Sequence, residues 1–209
     1  MKLLVTAGPT REPLDPVRFL SNASSGRMGY AIAAAAVAAG HDVLLITGPV
    51  ALAPPDGATV VRVTTAIELL DACVRNFADA DALVMTAAVC DYRPAAYSDA
   101  KLKKTGPGEV TLPLVPNPDV LATVAAQKGR RIVIGFAVET DDALANARGK
   151  LERKHCDALV LNHPASIGAA KAEFTLLTAD GKVEPLGVMA KTELAERLIR
   201  LVEQLAKTE

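Results

Sequence analysis

Tryptophan is absent from this 209-residue chain, and aromatic side chains together make up only 3% of it. A platform that stacks unpaired bases needs aromatic faces, so that class of nucleic-acid binder is excluded. An excess of either charge is missing as well. The 23 basic and 24 acidic residues leave a formal net charge of -1, which supplies no long-range attraction to a phosphate backbone or an acidic membrane surface. Any anion must therefore be recognised by local placement of charges and backbone amides. No run approaches the roughly 18 apolar residues needed to span a bilayer, and the apolar start Leu3-Leu4-Val5 is stopped at Gly8-Pro9. The expectation is a cytoplasmic protein with neither nucleic-acid nor membrane partners. Cysteine is scarce: Cys73, Cys90 and Cys156 form no CxxC pair, and His41, His155 and His163 lack ligand spacing. Neither a disulfide framework nor a protein-held metal site is indicated, and only a metal arriving with a nucleotide stays open.

What the chain has is aliphatic bulk. Half of it is hydrophobic, rich in Val, Leu, Ile and Ala, the composition of a buried sheet covered by alanine-rich helices. No linker, repeat or charge block divides it, so residues 1–209 read as one domain. Short apolar runs predict strands over Lys2 to Thr6, Val43 to Thr47, Thr59 to Val63, Ala82 to Thr86, Ile132 to Phe136 and Ala158 to Leu161. Helical periodicity and start or stop residues predict helices over Met28 to Ala39, Ala66 to Phe77, Asp119 to Gln127, Asp142 to His155 and Thr192 to Leu205. Strands alternating with helices imply parallel pairing with right-handed crossovers. Asp180-Gly181 between Glu173 to Thr178 and Lys182 to Leu186 marks a hairpin. The expected fold is α/β, a Rossmann-like doubly wound, mostly parallel sheet with a C-terminal β-hairpin.

Two long polar insertions, Pro9 to Ala23 and Cys90 to Gly108, leave the carboxyl ends of predicted strands, the edge where open α/β sheets bind ligands. Gly8, Gly26 and Gly29 do not make a dinucleotide fingerprint, because about fifteen intervening residues remove the tight turn. The second strand ends in Thr47-Gly48-Pro49, without the acidic residue expected on a ribose. What remains at Ser24-Ser25-Gly26 is a helix start, readable as a phosphate cradle or as an ordinary capped end. The first insertion also delivers Arg11, Arg18 and Asn22, and an amide such as Asn22 can donate to an acyl oxygen that gains charge.

The second insertion carries Thr86 to Pro94 (TAAVCDYRP) and Lys101-Leu102-Lys103-Lys104, followed by Thr105-Gly106-Pro107-Gly108. Such a segment suits a cationic flap over a polyphosphate, or a solvated basic loop. Tyr97 and Lys101 fit the YxxxK of short-chain dehydrogenases, but Val84 stands where a Ser is needed, and the stretch after Pro94 has little helical periodicity. Asn117-Pro118 reads as an N-cap followed by the first helical turn. Phe136 ends a predicted strand where a base can rest, and Lys150 and Lys154 share a helix face. Cys90 has no His to complete a dyad, and Asp91 beside it raises a thiol pKa, so it reads as a bystander.

Taken together, GPTREPLDPVRFLSNASSGRMG, AAVCDYRP with KLKK, NPDV, and GFAVET with the later lysine pair resemble the phosphopantothenoylcysteine synthetase family, often found as the C-terminal half of a bifunctional decarboxylase/ligase. The resemblance runs from Lys2 to about Leu205. It implies that Asn22, with Arg18 and the backbone at Ala88, contacts the activated acyl group, and that Lys101 is needed to form the acyl-nucleotide. Ser24, Gly26, Met85, Thr86, Ala87, Asp91, Lys101, Pro118, Asp119, Val120, Leu121, Phe136, Lys150 and Lys154 match nucleotide-contacting positions, and Lys103 to Gly108 the flap. The implied reaction consumes 4'-phosphopantothenate, L-cysteine and CTP, with Mg2+ on the nucleotide, in a homodimer. The alternatives are an NAD(P)-dependent reductase and a non-catalytic nucleotide-binding module.

Overall fold

The apolar runs that predicted strands do form strands, in a computed structural model that describes residues 1–104 and 106–207. In chain order the elements are β1 (Lys2–Ala7), β2 (Arg11–Pro13), β3 (Phe19–Ser21), α1 (Arg27–Ala38), β4 (Asp42–Thr47) and β5 (Ala58–Arg62). They continue with α2 (Ala66–Phe77), β6 (Ala82–Met85), β7 (Tyr92–Pro94), β8 (Leu114–Pro116), α3 (Val120–Ala125) and β9 (Ile132–Val138). The last are α4 (Ala143–Arg153), β10 (Ala158–Asn162), β11 (Lys171–Thr178), β12 (Val183–Ala190) and α5 (Lys191–Leu205).

One eight-stranded sheet has the order β12-β11-β10-β9-β6-β1-β4-β5. The six strands from β10 to β5 are parallel, whereas β11 and β12 add on as an antiparallel hairpin. The expected mostly parallel α/β sheet with its C-terminal hairpin is what forms. Both faces are covered, which is why the central strands are apolar without alternation. Leu3 and Val5 of β1 pack with α1 and α5 (Ile32, Ala36, Leu194, Leu198) on one face. Leu4 packs with α2, α3 and α4 (Leu69, Val124, Leu151) on the other.

The helix starts differ in chemistry. Thr65 accepts from Glu68 N–H while the Glu68 carboxylate accepts from Thr65 N–H, a reciprocal cap on α2. α1 has Gly26 as N-cap, in the left-handed region at φ 75, with no side-chain cap and no acid in its first turn. α1 also lies close on the sheet. A Cβ on Gly29 would stand 2.5 Å from Ala7 Cβ and 2.6 Å from Thr86 Oγ1, so only glycine permits this approach.

Some boundaries differ from the sequence reading. β9 continues through Phe136 to Val138 because β10 pairs with it as far as Asn162; Phe136 does not end the strand. α3 starts later than Asn117-Pro118 suggests, because Asp119 is the N-cap and accepts from Ala122 N–H at 3.0 Å. Asn117 instead donates its amide to Cys90 O at 2.9 Å. The hairpin extends farther from its turn than predicted, from Lys171 and to Ala190, with a register shift at Phe174/Thr175. The first insertion contains β2 and β3, paired with each other, and the second contains β7, paired with β8 just beyond it.

Candidate functional site

Both insertions leave the carboxyl edge of neighbouring strands, β1 and β6, and they are sewn to each other. Pro9 and Ala88 form an isolated parallel bridge. Thr10 N–H donates to Ala88 O at 3.2 Å, and Cys90 N–H donates to Thr10 Oγ1 at 3.0 Å. Farther out, Ser98 N–H donates to Leu14 O at 3.1 Å. Segments separated by some 80 residues thus form one mouth, with their backbone polar groups paired to each other.

The structure brings Asn22 onto this seam. Its amide nitrogen donates to Val89 O at 2.9 Å and Ala88 O at 3.3 Å, and the residue is exposed. Arg18 lies at the same mouth. Its guanidinium is held by Asp15 through Nε at 3.0 Å and Nη2 at 2.5 Å, and Nη2 also reaches Leu102 O at 2.5 Å. Leu102 is the neighbour of Lys101, whose side chain is exposed, as are Lys103, Lys104, Gly106, Pro107 and Gly108. Thr105 lies outside the described residues. Tyr97 to Lys101 is not helical, so the YxxxK pair shares no helix face.

Asp15 is buried. Burial alone pushes a carboxyl upward, but hydrogen bonds from Val17, Arg18 and Leu102 outweigh it and hold this carboxyl well below the usual range. Cys90, by contrast, is a thiol pushed up, first by burial and further by Glu12 and Asp91. It is no nucleophile here.

On the α1 face of the sheet edge, Asn22, Ser24, Gly26, Thr86, Ala88 and Phe136 line one cleft of about 130 Å³. Ser24 Oγ accepts from Gly26 N–H at 3.3 Å, and Thr86 Oγ1 donates to Thr6 O at 2.6 Å. The cleft also contains residues that sequence reasoning missed. Asn162 donates its amide to Ser166 Oγ at 2.8 Å, while its Oδ1 is buried without a partner among the described residues. Lys191 donates to Ser166 O at 3.0 Å, and Arg27 to Gly168 O at 2.9 Å. Burial lowers the Lys191 pKa, and the Arg27 charge adds to that. Two cations and an uncapped helix start make this cleft suited to an anion, and the unfilled Asn162 acceptor suits a hydroxyl or N–H donor beside it. No local pattern announces them, since their partners are remote in sequence.

Lys150 and Lys154 lie on the opposite face of the same edge. Lys150 Nζ donates to Phe136 O at 2.7 Å, and burial followed by the Lys154 charge lowers its pKa. Lys154 stands at the C-cap of α4 and pairs with Asp119 at 2.9 Å, and against the upward push of burial the Lys154 and Lys150 charges both lower the Asp119 pKa. Pro118 precedes the α3 cap, and Val120 and Leu121 are buried in its first turn. Met85 closes β6, Ala87 N–H donates to Thr6 Oγ1 at 3.1 Å, and Asp91 is exposed. Residues expected to contact nucleotide therefore occupy both faces of one strand edge, bridged by Phe136.

Among the described residues no group of three or more His, Cys, Asp or Glu side chains can hold a metal, and no helix is long and apolar enough to cross a membrane.

Comparison with known proteins agrees with this architecture. Residues 1–205 match the family described as DNA/pantothenate metabolism flavoprotein C-terminal domain. The chain is 46% identical over 215 residues to the coenzyme A biosynthesis bifunctional protein CoaBC of Mycobacterium tuberculosis (strain ATCC 25618 / H37Rv), covering 95% of this chain and 51% of that protein. It thus spans about half the length of the curated relatives it matches. The crystal structure of the C-terminal domain of a CoaBC superposes with a TM-score of 0.87 at 36% identity, covering 100% of this chain and 96% of that one. The fold is also shared, at 17% identity and a TM-score of 0.82, with a Cab2 H337A mutant in complex with phosphopantothenate-cysteine, covering 99% and 88% of the two chains. The likeness to the synthetase family seen in the motifs is borne out, and the chain belongs to the DNA/pantothenate metabolism flavoprotein C-terminal domain family.

Proposed function

We propose that this chain is the ligase unit that joins 4'-phosphopantothenate to L-cysteine at the expense of CTP. The observation that carries the reading is the seam: Asn22 on the Ala88 and Val89 carbonyls, and Arg18 on the backbone next to Lys101, are brought to one mouth by two segments remote in sequence. The Cab2 complex supports the choice of acyl and amine substrates, because that protein of the same fold holds phosphopantothenate-cysteine.

The chemistry divides into two steps. The pantothenate carboxylate attacks the α-phosphorus of CTP, a P–O bond forms, and pyrophosphate leaves. Cysteine's free amine then attacks the mixed anhydride, the amide forms, CMP leaves with the former carboxylate oxygen, and the ammonium proton is lost to solvent. A carboxylate is a poor acyl donor until its oxygen belongs to a good leaving group, which is the reason for the nucleotide. Lys101 meets the charge that develops on the phosphates, and Arg18 orients the acyl substrate. The longer Asn22 hydrogen bond, to Ala88 O at 3.3 Å, is the one a substrate oxygen can replace, which turns the amide toward the reacting carbonyl. A magnesium ion finds no protein cage among the described residues and would be held by the triphosphate itself.

We also read the active form as a homodimer. Val17, Phe19, Tyr92 and Leu114 are exposed apolar side chains on the two small two-stranded sheets and the β2–β3 turn, and a second copy is the partner that would cover them.

The test is pyrophosphate release with CTP and ATP in parallel, with and without each acyl partner. The expected result is release only when nucleotide and 4'-phosphopantothenate are both present, with the amide product appearing once cysteine is added. Asn22→Ala should release pyrophosphate yet transfer poorly, and Lys101→Ala should fail to activate. CTP binding without any release would make this a binding module, and a change in NADPH absorbance with carbonyl substrates would make it a reductase.

A further inference from the structure

We propose that Asp15 is a positioning residue for the activation step, its carboxylate fixing the peptide next to Lys101 against the loop that bears Arg18 and Asn22. This rests on the reading of Lys101 given above.

The carboxylate is buried and receives five N–H donors. The Val17 and Arg18 amides, at 2.9 Å each, fold the local turn. The Arg18 guanidinium supplies two more, at 3.0 and 2.5 Å. The fifth is Leu102 N–H at 3.1 Å, 87 residues away in sequence. A carboxylate is purely an acceptor with about four lone-pair sites, so these donors use its full capacity. The backbone of Leu102 is thereby gripped on both sides, its N–H by Asp15 and its C=O by Arg18, itself held by Asp15.

Little else fixes this stretch. Between β7 and β8 the chain has no described helix or strand, and Lys101, Leu102, Lys103 and Lys104 are exposed. The other tie between the two mouth segments near this point is Ser98 N–H to Leu14 O, one residue before Asp15. The place of Lys101 relative to Arg18 is thus decided by one buried anion. Asparagine is nearly the same size but fails here, because its NH2 would point at a guanidinium or an amide that also donates.

A displacement of about 1 Å in a reacting group can cost on the order of 100-fold in rate. Asp15→Asn should therefore lower kcat for pyrophosphate release by about 100-fold, while CTP affinity, read by calorimetry, stays within about twofold. Hydrogen exchange at the Leu102 amide should accelerate while amides in β1 and β6 keep their protection. Leu102→Pro removes the fifth donor and leaves Asp15 and the core intact, so it should reproduce the loss of kcat even if Asp15→Asn folds poorly. Wild-type kcat in either folded variant overturns the proposal, as does a loss that appears only as weaker CTP binding. Absence of pyrophosphate release from the unaltered chain would be a failure of the ligase reading instead.

Discussion

α1 and α2 are both twelve-residue helices that start at the carboxyl edge of the sheet, yet their first turns are opposite in design. The start of α2 is filled: Thr65 and Glu68 cap it reciprocally, and the buried Glu12 carboxylate accepts from Ala66 N–H at 2.9 Å. The start of α1 is open: a left-handed glycine, no side-chain cap and no acid. The difference shows which helix end is completed by its own side chains and which is left open. A positive end lined by Arg27 and Lys191, with no carboxylate beside it in the cleft, is an incomplete electrostatic arrangement that an anion completes.

The contrast can be broken most severely at Gly29. Gly29→Ala places a methyl within 2.8 Å of Thr6 O and closer still to Ala7 and Thr86. α1 must lift from the sheet, and denaturant unfolding should show a loss of about 3 kcal/mol. Next in size is an effect of acid on Asp15, a buried carboxylate of the first insertion. Asp15 has a folded pKa below its unfolded value, so its contribution is present above the ordinary carboxylate range and is lost as pH falls through and below that range. Urea midpoints measured from pH 7 down to pH 2 should fall more steeply for the parent chain than for Asp15→Asn.

The paired helix starts then separate binding from stability. Ser24→Ala should weaken CTP binding about tenfold, the worth of one hydrogen bond to a charged group, with stability changed by less than about 0.5 kcal/mol. Thr65→Ala should do the reverse, lowering stability by about 1 kcal/mol with CTP binding unaltered. Calorimetry and thermal melts on the two variants would dissolve the comparison if their effects were interchanged.

Where physics is local, the chain was legible before its coordinates. α2 was read at Ala66 to Phe77 without error because its cap and first turn lie within four residues of one another. The parallel order of strands followed from their alternation with helices. The four short strands in and beside the insertions were missed because three residues carry no periodicity, and they exist through pairing with each other. Asn117 misled for a related reason: it is a sound N-cap by sequence, but Arg93 and the Cys90 carbonyl recruit it. Arg18, Asn22 and Lys101 were visible from motif order. Asp15 was not singled out, since only one of its ties, to Leu102, leaves the local turn.

In the proposed reaction the carboxylate is activated by joining it to the nucleotide's α-phosphorus. With 4'-phosphopantothenate labelled in both carboxylate oxygens with 18O, mass spectrometry of the nucleotide product decides it. One 18O atom in CMP for each amide formed is the predicted result; label in inorganic phosphate together with CDP, or unlabelled CMP, would contradict it.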